Sequence, residues 1–292
     1  MRRTQITMLN GMAGSDFHQA LDQFAAWGLE HVDLKNGIYG KSIEALSDSE
    51  ANAATAALHE RGLNAYCFST ELFHDDLEKG EEHFRQQHLS KIDRAIQVAE
   101  RMRPNMIRLL SARTTKRLSL QNSTDYILAE HPWLIALYQE AIDRIHGAGF
   151  QVTIENEAHS CIWSTPEEII TFYEALGRQD KVHYTYDVQN LWQMGTYPSL
   201  EVYRKLRPLI GFLHLKGGQQ GEEGNALVWK STLEEASWPV AELTAEAIRD
   251  GVSPVICLNP SHGKPMEGRS YTYEQDLHYL KQLIEQVEGD GI

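Results

Sequence analysis

The sequence predicts an α/β protein folded as a single (β/α)8 barrel, with residues 1–292 forming one domain. Three observations lead there. Eight short apolar runs, starting near residues 5, 31, 64, 106, 151, 182, 210 and 254, alternate with helical patterns, as parallel βαβ units require. The length of 292 residues suits a closed barrel, which takes roughly 250 residues before its loops are counted. No linker or change of composition divides the chain, and an open doubly wound sheet would carry a glycine-rich nucleotide turn after its first strand; Asn10-Gly-Met-Ala-Gly14 is not GxGxxG.

Gln5 to Asn10, carrying Ile6, Met8 and Leu9, is the first strand, and Ser15-Asp16 caps a helix whose apolar face holds Phe17, Leu21 and Phe24 before Gly28. His31 to Lys35 repeats the unit, with a helix that starts after Ser47-Asp48 and stops at Gly62. Asn64 to Ser69 is the third strand. Leu89, Ile92, Ile96 and Ala99 fall at three- and four-residue spacing on the next helix, ahead of Pro104 and the strand Met106 to Ser111. Leu134, Tyr138, Ala141, Ile142 and Ile145 make an amphipathic helix closed by Gly147 and Gly149, and Gln151 to Glu155 is the fifth strand. Ser164-Thr165-Pro166-Glu167-Glu168 joins capping residues, a first-turn proline and early acids. Val182 to Asp187, Ile210 to Lys216 and Pro254 to Asn259 complete the strands, and Leu277, Leu280, Ile284 and Val287 mark the terminal helix. The longest helix-poor stretches, 113–124 and 217–231, follow strands four and seven, on the face where barrel loops carry function.

The 27 basic and 41 acidic residues leave a formal charge of −14, which repels a polyphosphate backbone, so nucleic acid is not an expected partner. No stretch approaches the ~20 apolar residues of a membrane span. Met1-Arg2-Arg3 leads into Thr4-Gln5-Ile6-Thr7 rather than an apolar signal core, so a cytoplasmic address without membrane contact is expected. Cys67, Cys161 and Cys257 form no CxxC pair and read as reduced thiols. A homo-oligomer is left open.

Several motifs fail. Gly40-Lys41-Ser42 lacks the earlier glycine of a phosphate loop, Lys35 standing in that place. His59-Glu60 has no second histidine for HExxH, His83 and His88 are five apart and off a shared helix face, and no GxSxG elbow is present. What is left is a set of polar residues that end apolar strands. Glu155 follows Val-Thr-Ile, Asp187 follows Tyr-Thr-Tyr, His214-Leu-Lys216 follows Gly-Phe-Leu, and Asn259 follows Val-Ile-Cys-Leu. In a parallel barrel the strand C-termini share one face, so these groups converge at one mouth. Two carboxylates and an imidazole suit one divalent cation of the Mn, Mg, Co or Zn kind. Singly, each residue would as well begin a loop or cap a helix; four successive strands ending this way favour the metal.

The series Ile154-Glu155-Asn156, Asp187-Val-Gln-Asn190 and Phe212-Leu-His214-Leu-Lys216-Gly217 resembles the xylose isomerase-like TIM-barrel superfamily, the sugar phosphate isomerase/epimerase group. Ser237-Trp238-Pro239, ahead of an amphipathic helix ending at Gly251, resembles that family's approach to strand eight. The resemblance implies a divalent metal held by Glu155, Asp187 and His214. At the fourth ligand position Asn259 stands where the family has glutamate. An amide coordinates through oxygen but accepts no proton as a base, and its neutrality weakens the site for a dication. The implied chemistry is proton abstraction beside a carbonyl of a sugar or keto-sugar, with Glu155 as base and the metal holding the enediolate charge. Isomerisation or epimerisation returns the proton. Expulsion of a leaving group instead gives a lyase or dehydratase, a reading that the missing acid raises, and Asn259 alone motivates a non-catalytic sugar-binding barrel. A metal-dependent endonuclease is disfavoured by the charge and by too few ligands for a multi-metal cluster.

The neighbours are read more plainly. Lys216 polarises a substrate oxygen or ends its strand in an ion pair. Glu157, two residues past Glu155, reads as a loop charge, since period two holds only inside a strand; it is also, with His262, Lys216 or water, a candidate second acid. Asp33 and Lys35 pair with neighbouring strands or touch substrate. His74 and Phe68, with Trp163 and Trp192, would form an apolar wall for a sugar ring, and Asn190 and His262 would add polar contacts. Arg108 and Arg113 are surface charges or anion ligands.

Overall fold

The fold is taken from a computed structural model that describes residues 3–268 and 271–289. Its strands are β1 (Gln5–Met8), β2 (His31–Leu34), β3 (Asn64–Ser69), β4 (Met106–Leu110), β5 (Gln151–Glu155), β6 (Val182–Asp187), β7 (Ile210–Leu215), the short β8 (Gln219–Gln220) and β9 (Leu227–Trp229), and β10 (Val255–Leu258). Eight of them form one parallel sheet in the order β1-β10-β7-β6-β5-β4-β3-β2. The two end strands approach each other through a Leu9–Asp33 bridge and a 3.0 Å hydrogen bond from Thr7 Oγ1 to the His31 carbonyl, so the barrel is nearly closed. Each of the eight apolar runs is a barrel strand.

Local chemistry sets the helix boundaries. Helix Phe17–Ala26 starts where Asp16 accepts from the Gln19 N–H at 2.9 Å. Asp48–His59 and Pro166–Leu176 both open with capping boxes, Ser47 with Glu50 and Thr165 with Glu168. Pro166–Leu176 ends at Gly177, whose φ of 56° satisfies the last carbonyls at no Cβ cost. The stretch after β7, expected to be helix-poor, folds back as the antiparallel pair β8–β9. It packs against the end of β7 because Gly217 has no Cβ: one built there would collide with the Ser231 and Thr232 carbonyls. Between β6 and β7 the chain makes two short helices, Val188–Gln193 and Leu200–Leu206, which apolar spacing did not disclose.

Alternation along the strands divides the core. Outward residues such as Val152, Ile154, Leu213 and Leu215 join the helices in the main apolar cluster. Tyr66, Cys67, Met106, Phe212, Val255 and Cys257 form a separate small cluster. One step further along the same period-two rows come Arg108, His214 and Asn259, with Thr153 and Thr185 on β5 and β6, all buried. The barrel thus changes from apolar to polar toward the C-terminal ends of its strands, and side chains there meet regardless of sequence separation.

Candidate metal centre

β5 ends on Glu155 and β6 on Asp187, β7 carries His214 with Lys216 just beyond it, and Asn259 follows β10. One ligand atom from each of Glu155, Asp187 and His214 lies within 4.8 Å of the others. His214 Nδ1 is 2.8 Å from Glu155 Oε1 and 3.8 Å from Asp187 Oδ2. Two donors bound at about 2.0–2.4 Å to a common ion can be separated by at most about twice that, so the set is compact enough for one divalent cation. The donor set fits such an ion chemically as well, since it offers two hard oxygens and one imidazole nitrogen. The Asn259 amide completes the ring, with Nδ2 2.9 Å from His214 Nδ1; a half-turn of the amide presents its oxygen instead. The other ring nitrogen, His214 Nε2, is buried without a hydrogen-bond partner and faces Asp33 Oδ2 at 3.8 Å.

Neighbouring residues fix the ligands in position. Asn156 locks β5 to β6: its Oδ1 accepts from Tyr184 OH at 2.7 Å and the Asp187 N–H at 2.9 Å, while its Nδ2 donates to the Asp187 carbonyl at 2.9 Å. Asp187 Oδ1 caps the next helix, accepting from Gln189 and Asn190 N–H groups at 3.1 and 2.9 Å, which leaves Oδ2 to face His214. Gln189 ties three strand ends together, donating to the Gly217 carbonyl and accepting from the His262 N–H at 2.7 Å.

Two buried cations stand behind the two carboxylates. Arg108 pairs with Glu155 Oε2 and donates to the Thr70 carbonyl at 2.9 Å; Lys216 Nζ lies 2.7 Å from Asp187 Oδ2. Burial opposes the charge of Glu155, but Arg108 and then His214 outweigh it and hold the carboxyl well below the ordinary range. Burial, with repulsion from Glu155, pushes Asp187 up to about 6 against the pull of Lys216. Burial works against the Lys216 ammonium, yet Asp187 and Glu155 raise its pKa. Burial raises the Asp33 carboxyl.

The centre opens into a cavity of about 350 Å³, lined by Lys35, Glu157, Asn190, Lys216, Asn259 and His262 among others. Asn190 is fixed between Lys216, whose Nζ donates to its Oδ1 at 3.0 Å, and the Asn156 carbonyl, 3.1 Å from its Nδ2. Glu157 departs from the loop-charge reading: its side chain reaches this cavity, so period two persists past the strand end. The two tryptophans do not form the expected wall. Trp163 is fully buried against Phe172, Tyr173 and Tyr184, and Trp192 is 2 % exposed, donating to the Asn225 carbonyl and packing edge-on against Tyr197. Both are framework: Trp163 fills the layer between helix Pro166–Leu176 and the sheet, and Trp192 lies against the β8–β9 segment, close to Gly218 and bonded to the Asn225 carbonyl. His74 is half-buried, 3.3 Å from the Ser111 carbonyl, and does not line the cavity. Arg108, read from the sequence as a surface charge or anion ligand, is instead buried against Glu155, and Asp33, read as a strand-pairing or substrate-contacting residue, is buried facing His214; a charge at the inward step of an apolar strand was their signal.

A second group, Asp75, His83 and His88, also gathers its ligand atoms within 4.8 Å. Helix Glu81–Gln87 ends before His88, which lets the two imidazoles turn to one carboxylate despite their spacing. His88 Nδ1 accepts the Phe73 N–H at 3.0 Å, so its neutral ring carries the proton on Nε2 and has no lone pair there for a metal.

The sequence profile described as the xylose isomerase-like TIM barrel matches residues 21–285. No curated protein sequence matches. Among solved structures, a xylose isomerase-like TIM-barrel protein from Mycobacterium smegmatis in complex with magnesium is similar at 17 % identity, with TM-score 0.72 and 98 % of this chain and 97 % of that one covered. A probable 3-DHS dehydratase from Bacillus anthracis is similar at 13 % identity, TM-score 0.69, covering 95 % and 98 %. A sugar phosphate isomerase/epimerase from Parabacteroides distasonis is similar at 14 % identity, TM-score 0.65, covering 96 % and 94 %. At these identities the likeness is one of fold. Among the described residues no helix is long and apolar enough to cross a membrane.

Proposed function

The chain belongs to the xylose isomerase-like TIM-barrel family, and from that premise we propose that it is a divalent-metal-dependent isomerase or epimerase acting on a sugar or keto-sugar. The observation that carries the reading is the meeting of Glu155, Asp187 and His214 within 4.8 Å at the mouth of the barrel. These three would hold the ion, with Asn259 as a neutral fourth ligand. A bound Mn, Mg, Co or Zn ion supplies Lewis acidity, which makes a hydrogen on carbon beside a carbonyl acidic. Arg108 holds Glu155 ionised and Lys216 opposes the rise that burial imposes on Asp187, so both cations favour the ligating, ionised form. Lys216 also lines the cavity, where its ammonium can donate to a substrate oxygen that gains negative charge. Asn190 and His262, on the same wall, supply hydrogen bonds to hydroxyl groups.

A second reading, elimination from a keto-sugar, is favoured by Asn259, because the usual pair of opposed carboxylate ligands is incomplete. The dehydratase similarity supports it.

Metal analysis and turnover in D2O test the proposal together. The purified protein should contain about one divalent ion, and Glu155→Gln or His214→Ala should lose the ion and the activity while keeping the folded circular dichroism. A ketose panel should yield product with deuterium on carbon. Unchanged molecular formula marks isomerisation; loss of water or an aglycone marks elimination. Full activity in chelator with no metal would refute the mechanism.

A further inference from the structure

Of the carboxylates at the mouth, two are committed. Glu155 is paired with Arg108 and hydrogen-bonded to His214; Asp187 is paired with Lys216 and caps a helix with its other oxygen. Asn259, where a further carboxylate would stand, exchanges no proton. Glu157 differs from all three. Among the described residues no Lys, Arg or His nitrogen is paired with it at ion-pair distance, His74, Arg108 and Lys216 acting on it from further away, and its half-buried side chain lines the same cavity as Lys216, Asn190 and Asn259.

Its placement is built. The Glu157 N–H donates to Ser111 Oγ at 3.1 Å, which fixes the backbone where β5 ends. Asn190 Nδ2 approaches Glu157 Oε2 at 3.4 Å, and the orientation of that amide is set by Lys216 on its oxygen. Oε1 has no protein partner among the described residues. A carboxylate that is oriented through one oxygen and open at the other, beside a cationic donor, is equipped to accept a proton from a bound molecule.

We propose that Glu157 is the base that removes the substrate proton, taking the role that the sequence suggested for Glu155. The inference rests on the proposed isomerase chemistry. In the step, the carbon–hydrogen bond beside the carbonyl breaks, its electron pair passes to the carbonyl oxygen as an enediolate, and the proton goes to Glu157 Oε1. The same carboxyl then returns the proton to the neighbouring carbon as the adjacent hydroxyl becomes the new carbonyl and gives its proton to the enediolate oxygen, so atoms and charge balance and no oxidant or second substrate is consumed. Lys216, held to Glu157 through Asn190, faces the oxygen that becomes negative.

The test compares wild type, Glu157→Gln and Glu157→Asp as metal-loaded proteins. D-fructose, D-tagatose and D-ribulose are incubated in D2O, and carbon-bound deuterium is followed by NMR; Mn2+ affinity is measured separately by titration calorimetry. Glu157→Gln should slow deuterium incorporation at least a hundredfold with Mn2+ affinity within twofold of wild type, and Glu157→Asp should recover part of the rate. Incorporation at the wild-type rate in Glu157→Gln would overturn the assignment while leaving the proposed function intact. Loss of Mn2+ binding together with exchange would also overturn it, making Glu157 a ligand. Neither incorporation nor turnover by wild type with any of the three ketoses would count against the proposed function and the assignment resting on it.

Discussion

Removing the Arg108 guanidinium should destabilise the metal-free protein far more than the metal-loaded one. The Arg108 and Glu155 side chains are 2 % and 3 % exposed. Arg108→Met keeps most of the volume and leaves the Glu155 carboxylate buried without its cation. Breaking one partner of a buried pair costs about 3–5 kcal/mol. A second route gives a similar figure: if Glu155 escapes by taking up a proton at pH 7, the cost relative to its ordinary carboxyl of 4.5 is about 3 kcal/mol, at 1.36 kcal/mol per pH unit. At about 2–4 °C per kcal/mol for a domain of this size class, Tm should fall by roughly 6–20 °C in EDTA. A divalent cation bound by Glu155, Asp187 and His214 replaces the missing positive charge and binds only the folded state, so excess Mn2+ should close most of that gap. The assay is thermal unfolding followed by circular dichroism, for both proteins, in EDTA and in Mn2+. An equal Tm difference in the two buffers would refute the reasoning, because it would mean that no cation binds beside Glu155.

Asn259→Glu should tighten Mn2+ binding at least tenfold by calorimetry, since a fourth carboxylate would face His214 Nδ1, now 2.9 Å from the amide. In chelator the same variant should be less stable than wild type by about 1–3 kcal/mol, the new carboxyl being buried among acids without a partner. Trp163→Ala should cost about 3–5 kcal/mol in urea unfolding, as the loss of a fully buried indole does, with Mn2+ affinity unchanged; a raised KM at unaltered stability would restore Trp163 to the substrate wall. His88→Gln should flatten the acid side of the stability profile. Burial pulls the His88 imidazole down to about 4, against the attraction of Asp75. The unfolded chain, near 6.5, therefore binds more protons than the folded one between about pH 6.5 and 4, and wild-type stability falls as pH drops through that window, by up to about 3 kcal/mol. The variant lacks this contribution, so urea midpoints of the two proteins should converge toward pH 4; a constant difference would refute it.

The barrel was legible because strand and helix periods are local. Val-Thr-Ile before Glu155 and Tyr-Thr-Tyr before Asp187 specify strands by their own side chains, and Ser47 with Glu50 or Thr165 with Glu168 specify helix starts within four residues. The hairpin β8–β9 was not legible, since its short strands carry little alternation and depend on Gly217 admitting the Ser231 and Thr232 carbonyls. Trp163 and Trp192 were misplaced for a related reason: an aromatic near a strand end has the same sequence signal whether its ring turns to the mouth or to the helix layer.

Sequence alone determined which strands end in ligating groups, that three of them suit a divalent cation, and that the fourth is an amide. Tertiary structure decided how those charges are shared. Arg108 answers Glu155 from 47 residues away and Lys216 answers Asp187 across adjacent strands, leaving Glu157 as the acid at the mouth without a counter-ion among the described residues. A carboxylate's proton affinity depends on the nearest charges and the water excluded around it, and those are properties of what the fold brings within a few ångströms, not of the residues on either side in the chain.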